Sequence, residues 1–325
     1  MQAERYAPAV VAFAIVVVSF AAILIRMCDA PTAIIAACRL TFATLILAPL
    51  FVRSRMSGAA RQRGPRADSG GTGNASGNGA RERAGSVTRR QAALCALAGL
   101  FLALHFLFWI ESLKLTTVAS SVMLVTTSPV FAAVFAWVAF KEAVGRETLL
   151  AILLCLVGSL IISRGAVDLG AGAIKGNVFA VVGAAAFGAQ FVIARSLRRE
   201  MGITEYAFLA YSAAAVILVG WALIGGHSFT GFAGINYLWF FLLALGPQVL
   251  GHTSLSWALR YLPASKVAVS VLGEPVGAAL LAWVFFGEVP GYTLFAGGAL
   301  ILYGVYLAIK ARAPVDKAPA GPQPS

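Results

Sequence analysis

The stretch from Ala7 to Ile25, APAVVAFAIVVVSFAAILI, contains no charged residue, and nine further apolar runs follow it. A helix needs about 20 mostly apolar residues to cross roughly 30 Å of hydrocarbon. Runs of that kind lie at 8–25, 31–52, 91–110, 117–140, 148–163, 174–194, 205–224, 236–259, 264–286 and 292–309. The fifth and tenth are short, and Arg146, Arg164 and Lys310 at their ends can snorkel to lengthen them. Composition agrees: 60% of the 325 residues are hydrophobic and 12% charged, against about 25% charged in an average soluble domain. The expectation is an all-α integral membrane protein of ten transmembrane helices. The first run is read as a retained helix, because it is long for a signal peptide and lacks a small-residue cleavage site before the next span.

The formal charge of +12 suits a membrane orientation better than nucleic acid. With a cytoplasmic N-terminus, twenty Lys and Arg fall on the inner side and four (Arg26, Lys114, Arg164, Lys175) on the outer. The positive-inside rule then puts both ends in the cytoplasm. Residues 53–90 are rich in Gly, Ser and Arg and read as a disordered cytoplasmic basic linker; residues 311–325 read as a disordered cytoplasmic tail. The four cysteines, Cys28, Cys38, Cys95 and Cys155, show no ligand spacing and read as packing residues.

An internal repeat organises the chain. PVFAAVFAWVAFKE, from Pro129, lies over PVGAALLAWVFFGE, from Pro275, with nine identities in fourteen positions at a shift of 146 (275 − 129). The same shift pairs Gly145 with Gly291 and Gly158 with Gly304. Helices four and five thus recur as nine and ten. Five is odd, so repeats one unit apart cross in opposite directions: residues 1–52 carry helices one and two, 91–165 helices three to five, and 174–310 the inverted second repeat. Inverted repeats of this kind suit alternating access around a midplane site.

Glu274 is the deepest acid, about ten residues into its span, or roughly 15 Å at 1.5 Å per residue. Pro275 and Pro129 each remove a backbone donor and are expected to kink helices nine and four at matching places. Arg39 sits at nearly the depth of Glu274. The two either pair with each other, as a fixed packing bridge, or meet through a substrate, since lone charges facing lipid are the costliest arrangement. His105 and Trp109 share a face of helix three; the histidine reads either as a proton carrier or as a hydrogen-bonded packing residue. Gln190, Tyr211, Gln248, His252 and Trp257 are further candidates, with interhelical hydrogen bonding as the plainer role. Glu142 and Glu288 end their spans and are candidate gating residues. Gly297, Gly298 and Gly304 permit close helix contact, within the chain or in a dimer. No P-loop, HExxH, nucleophile elbow or cysteine–histidine cluster occurs, so neither enzyme chemistry nor a cofactor or metal is expected.

The paired segments SPVFAAVFAWVAFKE and EPVGAALLAWVFFGE, the Pro31 to Arg39 pattern and LRYLPASKVAVSVLGEP resemble the EamA-type family of the drug/metabolite transporter superfamily. The resemblance covers nearly the whole chain. It implies ten-helix, inner-membrane proteins that export amino acids, related metabolites or toxic compounds through a cavity between inverted halves, with helices five and ten peripheral. It also implies that Glu274, Pro275, Glu142, Glu288 and Arg39 fall on recurring family positions. The linker after Arg53 is longer than that pattern leads one to expect. The reading is therefore a secondary transporter of a small organic solute, coupled to protons or to exchange, acting as a monomer or homodimer in the lipid bilayer. Its alternatives are an uptake permease, an uncoupled facilitator, or a membrane-embedded enzyme or sensor.

Overall fold

Without water to satisfy it, backbone in hydrocarbon must bond within its own segment. The computed structural model follows that demand: it describes residues 2–62, 87–116, 121, 124–125, 127–141, 145–162, 171–287 and 292–310, and among these there are helices and no strands. We number the helices α1 (Gln2–Met27), α2 (Thr32–Gln62), α3 (Arg89–Leu115), α4 (Ser128–Phe140), α5 (Arg146–Ile162), α6 (Ala171–Glu200), α7 (Ile203–Ile224), α8 (Gly234–Leu243), α9 (Thr253–Ala258), α10 (Ala264–Val271), α11 (Glu274–Phe286) and α12 (Tyr292–Lys310). A π-helical segment, Ala244–His252, joins α8 to α9. Among the described residues, seven helical stretches are long and apolar enough to cross a bilayer: Arg5–Met27, Thr32–Met56, Arg89–Leu115, Gly172–Glu200, Ile203–Ile224, Gly234–Ala258 and Ala264–Phe286. Ser128–Phe140 and Phe295–Ala308 are shorter apolar helices.

Three local features depart from the sequence reading. First, α2 continues past Arg53 to Gln62, into the stretch expected to be linker, because its Arg, Met, Ala and Gln residues are good helix formers. At the other end α3 begins at Arg89, where Thr88 and Gln91 form a capping box. Second, Pro275 does more than kink its helix. The chain leaves α-helical register at Leu272 and Gly273, whose amides turn back to the carbonyls of Val269 and Ser270 at 3.1 Å each, and α11 restarts at Glu274. Pro129 likewise sits in the first turn of α4, where its missing amide costs nothing. Third, Pro247 lies inside the π segment. It cannot donate to the residue four back and its ring crowds that carbonyl, so the register widens by one residue; Thr253 N accordingly bonds Gln248 O.

α1 packs along α11 and the π segment, α6 along α4 and α3, α2 against α7, and α5 against α12. The α5–α12 contact is tight at glycines. A Cβ on Gly158 would stand 2.5 Å from Gly297 O and 2.7 Å from Ile301 Cγ1, and one on Gly304 would stand 2.9 Å from Ala151 O and 2.6 Å from Cys155 Sγ. Each contact is the other shifted by 146 residues, the separation that also joins Cys155 Sγ to Ile301 O at 3.5 Å. Gly297 and Gly304 are thus occupied within the chain. The outer surface is apolar, as lipid contact requires: Trp137 and Trp283, which the repeat equates, are 55% and 50% exposed.

Candidate functional site

A cavity opens among α1, α2, α3, α4, α6, the π segment and the α10–α11 break. Arg39, His105, Trp109, His252, Glu274 and Pro275 all line it. So does Ser128, the repeat equivalent of Glu274. Both begin half-helices of 13 residues, so two helix N-termini, the positive ends of their dipoles, open on the cavity. The break at Gly273 is held from α1: Ser19 Oγ donates to Ile15 O at 2.7 Å and lies 3.3 Å from Glu274 O. A side chain at residue 277 would collide there, its Cβ 2.2 Å from Ser19 Oγ, and the sequence has glycine.

Arg39 is wholly buried. Its Nε donates to Gln248 Oε1 at 2.8 Å, and its guanidinium carbon stands 4.2 Å from the Phe106 ring centroid, a cation–π contact. Nη1 and Nη2 have no hydrogen-bond partner. Arg39 and Glu274 therefore line one cavity without bonding each other, and of the two arrangements open to the sequence the fixed bridge is absent here. Trp109 Nε1 is a further buried donor without a partner. Buried donors are normally satisfied, so three of them around one cavity mark a place where acceptors are wanted.

The aromatic wall is continuous. His105 stacks on Phe187 at 4.3 Å and 16°, and on Trp109 at 5.7 Å and 13°. His252 meets Phe106 and Phe187 edge-on, at 5.7 Å and 5.5 Å. His105 Nδ1 lies 3.0 Å from Gly183 O; a carbonyl only accepts, so Nδ1 carries the proton there.

The other candidates stand behind this surface. Gln190 donates to Tyr206 Oη at 2.7 Å, and Trp257 packs on Tyr261 at 4.7 Å. Tyr211 lies 3.0 Å from Thr253 Oγ1 and donates to Gln248 O at 3.4 Å. Gln248 reaches Arg39 and is not itself part of the lining. Glu142 and Glu288 lie outside the described residues. Sequence reasoning passed over Phe106 and Phe187, whose phenyl rings carry no signal distinguishing them from lipid-facing ones; Ser128 could be found from the repeat, which sets it opposite Glu274.

Comparison with known proteins places these observations. The model of the EamA-like transporter family matches residues 6–164 and 174–310. An uncharacterised transporter of Archaeoglobus fulgidus is 26% identical over 200 residues, covering 62% of this chain and 70% of the relative. The uncharacterised transporter YdfC of Bacillus subtilis is 26% identical over 212 residues, covering 63% and 67%. A solved crystal structure of a protein superposes with a TM-score of 0.69 at 18% identity, over 94% of this chain and 96% of that one, which shows a shared fold.

Proposed function

Because the chain belongs to the EamA-like transporter family, we propose that this membrane transporter exports a small organic solute, such as an amino acid or related metabolite, by alternating access across the inner membrane. The observation that carries the reading is the cavity that holds Arg39, with two unpartnered nitrogens, together with Glu274. A guanidinium fork presents parallel donors to a carboxylate. A carboxylate held apart from it suits an ammonium group or a proton. The aromatic wall of His105, Trp109 and Phe187 supplies the apolar contact that positions the rest of a small ligand.

The architecture of the proposal is ten crossings in two inverted five-helix repeats, with both ends cytoplasmic. Two findings support it. The family model matches the chain in two stretches, 6–164 and 174–310, and packing is exchanged between the halves: α1 lies on α11 as α6 lies on α4. Broken helices at matching places of the two halves are where such transporters bind substrate and coupling ion. Coupling runs through Glu274, by protons or by exchange of one solute for another.

The test is counterflow in proteoliposomes with a panel of labelled L-amino acids. Vesicles holding the protein and unlabelled solute accumulate label against its gradient; those with Arg39→Gln do not, and those with Glu274→Gln lose the accumulation or its dependence on pH. Accumulation by neither wild type nor variants for any member of the panel removes amino acids from the proposal. Label accumulation unaffected by both substitutions removes the site.

A further inference from the structure

Gln248 sits one step behind the cavity and makes the only hydrogen bond recorded for the Arg39 side chain among the described residues, Nε to Oε1 at 2.8 Å. We infer that Gln248 is a positioning residue for transport, holding the Arg39 guanidinium so that its full charge and both terminal nitrogens face the ligand's anionic group. The inference rests on the reading of Arg39 as the anion ligand given above.

Three observations carry it. The first is chemical. A partner for Arg39 Nε has to be an acceptor, and a carboxylate would serve more strongly, but it would also cancel the charge. An amide oxygen binds Nε and leaves the charge intact. The Phe106 ring beneath the guanidinium does the same, fixing its plane without a counter-ion. The second is geometric. Gln248 directly follows Pro247 in the π segment, whose widened register sets where its side chain points. Π segments cluster at functional sites for this reason. The third is support. Gln248's own carbonyl accepts from Tyr211 Oη at 3.4 Å and lies 3.3 Å from Thr253 Oγ1, so the residue is tied to α7 and α9 as well as to α2. It is wholly buried, and its Nε2 has no partner, which a residue kept only for helix adhesion has little reason to leave.

Two substitutions separate positioning from adhesion. Gln248→Glu keeps size, shape and the acceptor for Nε, and makes that hydrogen bond charge-assisted. An adhesive role predicts wild-type transport and equal or greater thermal stability. Positioning predicts unchanged or greater stability with the KM for carboxylate-bearing solutes of the labelled amino-acid panel raised about tenfold or more, equivalent to ~1.4 kcal/mol, because the new carboxylate cancels the Arg39 charge that the ligand's anionic group needs. Gln248→Met removes the acceptor and should raise KM with a smaller effect on maximal rate. Where Gln248→Met fails to fold, Gln248→Glu alone decides. Wild-type KM in Gln248→Glu, with Arg39→Gln inactive, overturns the positioning role and spares Arg39. Wild-type transport by Arg39→Gln overturns both readings together.

Discussion

Ser128 and Glu274, 146 residues apart by the repeat, line one cavity, and each opens a 13-residue helix whose second residue is proline. The shared proline breaks the helix and the unshared side chain differs in charge. The two halves of the chain thus supply the same backbone and different chemistry at the same place.

Replacing Glu274 by Gln is expected to abolish counterflow, or its dependence on pH, while folded protein stays in the membrane. The double variant Ser128→Glu, Glu274→Ser, which moves the carboxylate to the equivalent half-helix, should recover part of the flux. Flux and pH response equal to wild type in Glu274→Gln, measured in proteoliposomes across a series of external pH values, would show that this carboxylate takes no part.

At Arg39 the charge alone should not suffice. Lysine is a point charge without the planar fork, cannot reproduce the Nε bond to Gln248, and stacks less well on Phe106. Arg39→Lys is expected to raise KM at least about tenfold, equivalent to ~1.4 kcal/mol, and Arg39→Gln to bring transport to background. Initial-rate measurements over a concentration range distinguish a change in KM from lost protein.

The glycine contacts between α5 and α12 lend themselves to a stability test. With backbone oxygens 2.5 Å and 2.9 Å from the added Cβ positions, Gly158→Ala and Gly304→Ala should each destabilise by about 1–3 kcal/mol, the usual cost of overpacking. Because both act by separating the same two helices, the double variant should cost less than the sum. Thermal unfolding in detergent measures this. Additive effects would mean that the two contacts give way independently.

Pro247→Ala restores an amide where the helix now lacks one. The segment can then close to α-helical register, which carries Gln248 away from Arg39. The expected result is an unchanged or higher melting temperature with a raised KM. A fall in stability with an unaltered KM would assign the proline to packing.

Much of the fold was legible because hydrocarbon imposes one rule on every span. Apolar length, punctuating charges and the 146-residue repeat are properties of the chain read in order, and Pro275 and Pro129 announce their helix breaks chemically. Arg39 and Glu274 could be matched in depth by counting residues. How each helix is turned about its axis could not. In lipid the surroundings of a helix are as apolar as its packed face, so no hydrophobic stripe says that His105 and His252 face the cavity while Gln190 and Trp257 do not.

The sequence by itself determined that this chain is a helical membrane protein with duplicated segments and two ionisable residues, Arg39 and Glu274, deep inside apolar runs, since unbonded backbone in hydrocarbon leaves few alternatives. Tertiary structure decided what those residues do. Gln248 comes to Arg39 from 209 residues away by way of a π-helical turn, Phe106 slides beneath the guanidinium, and Glu274 shares the cavity without closing an ion pair. Those outcomes depend on helix rotation and register, which side-chain packing sets only once the helices have met.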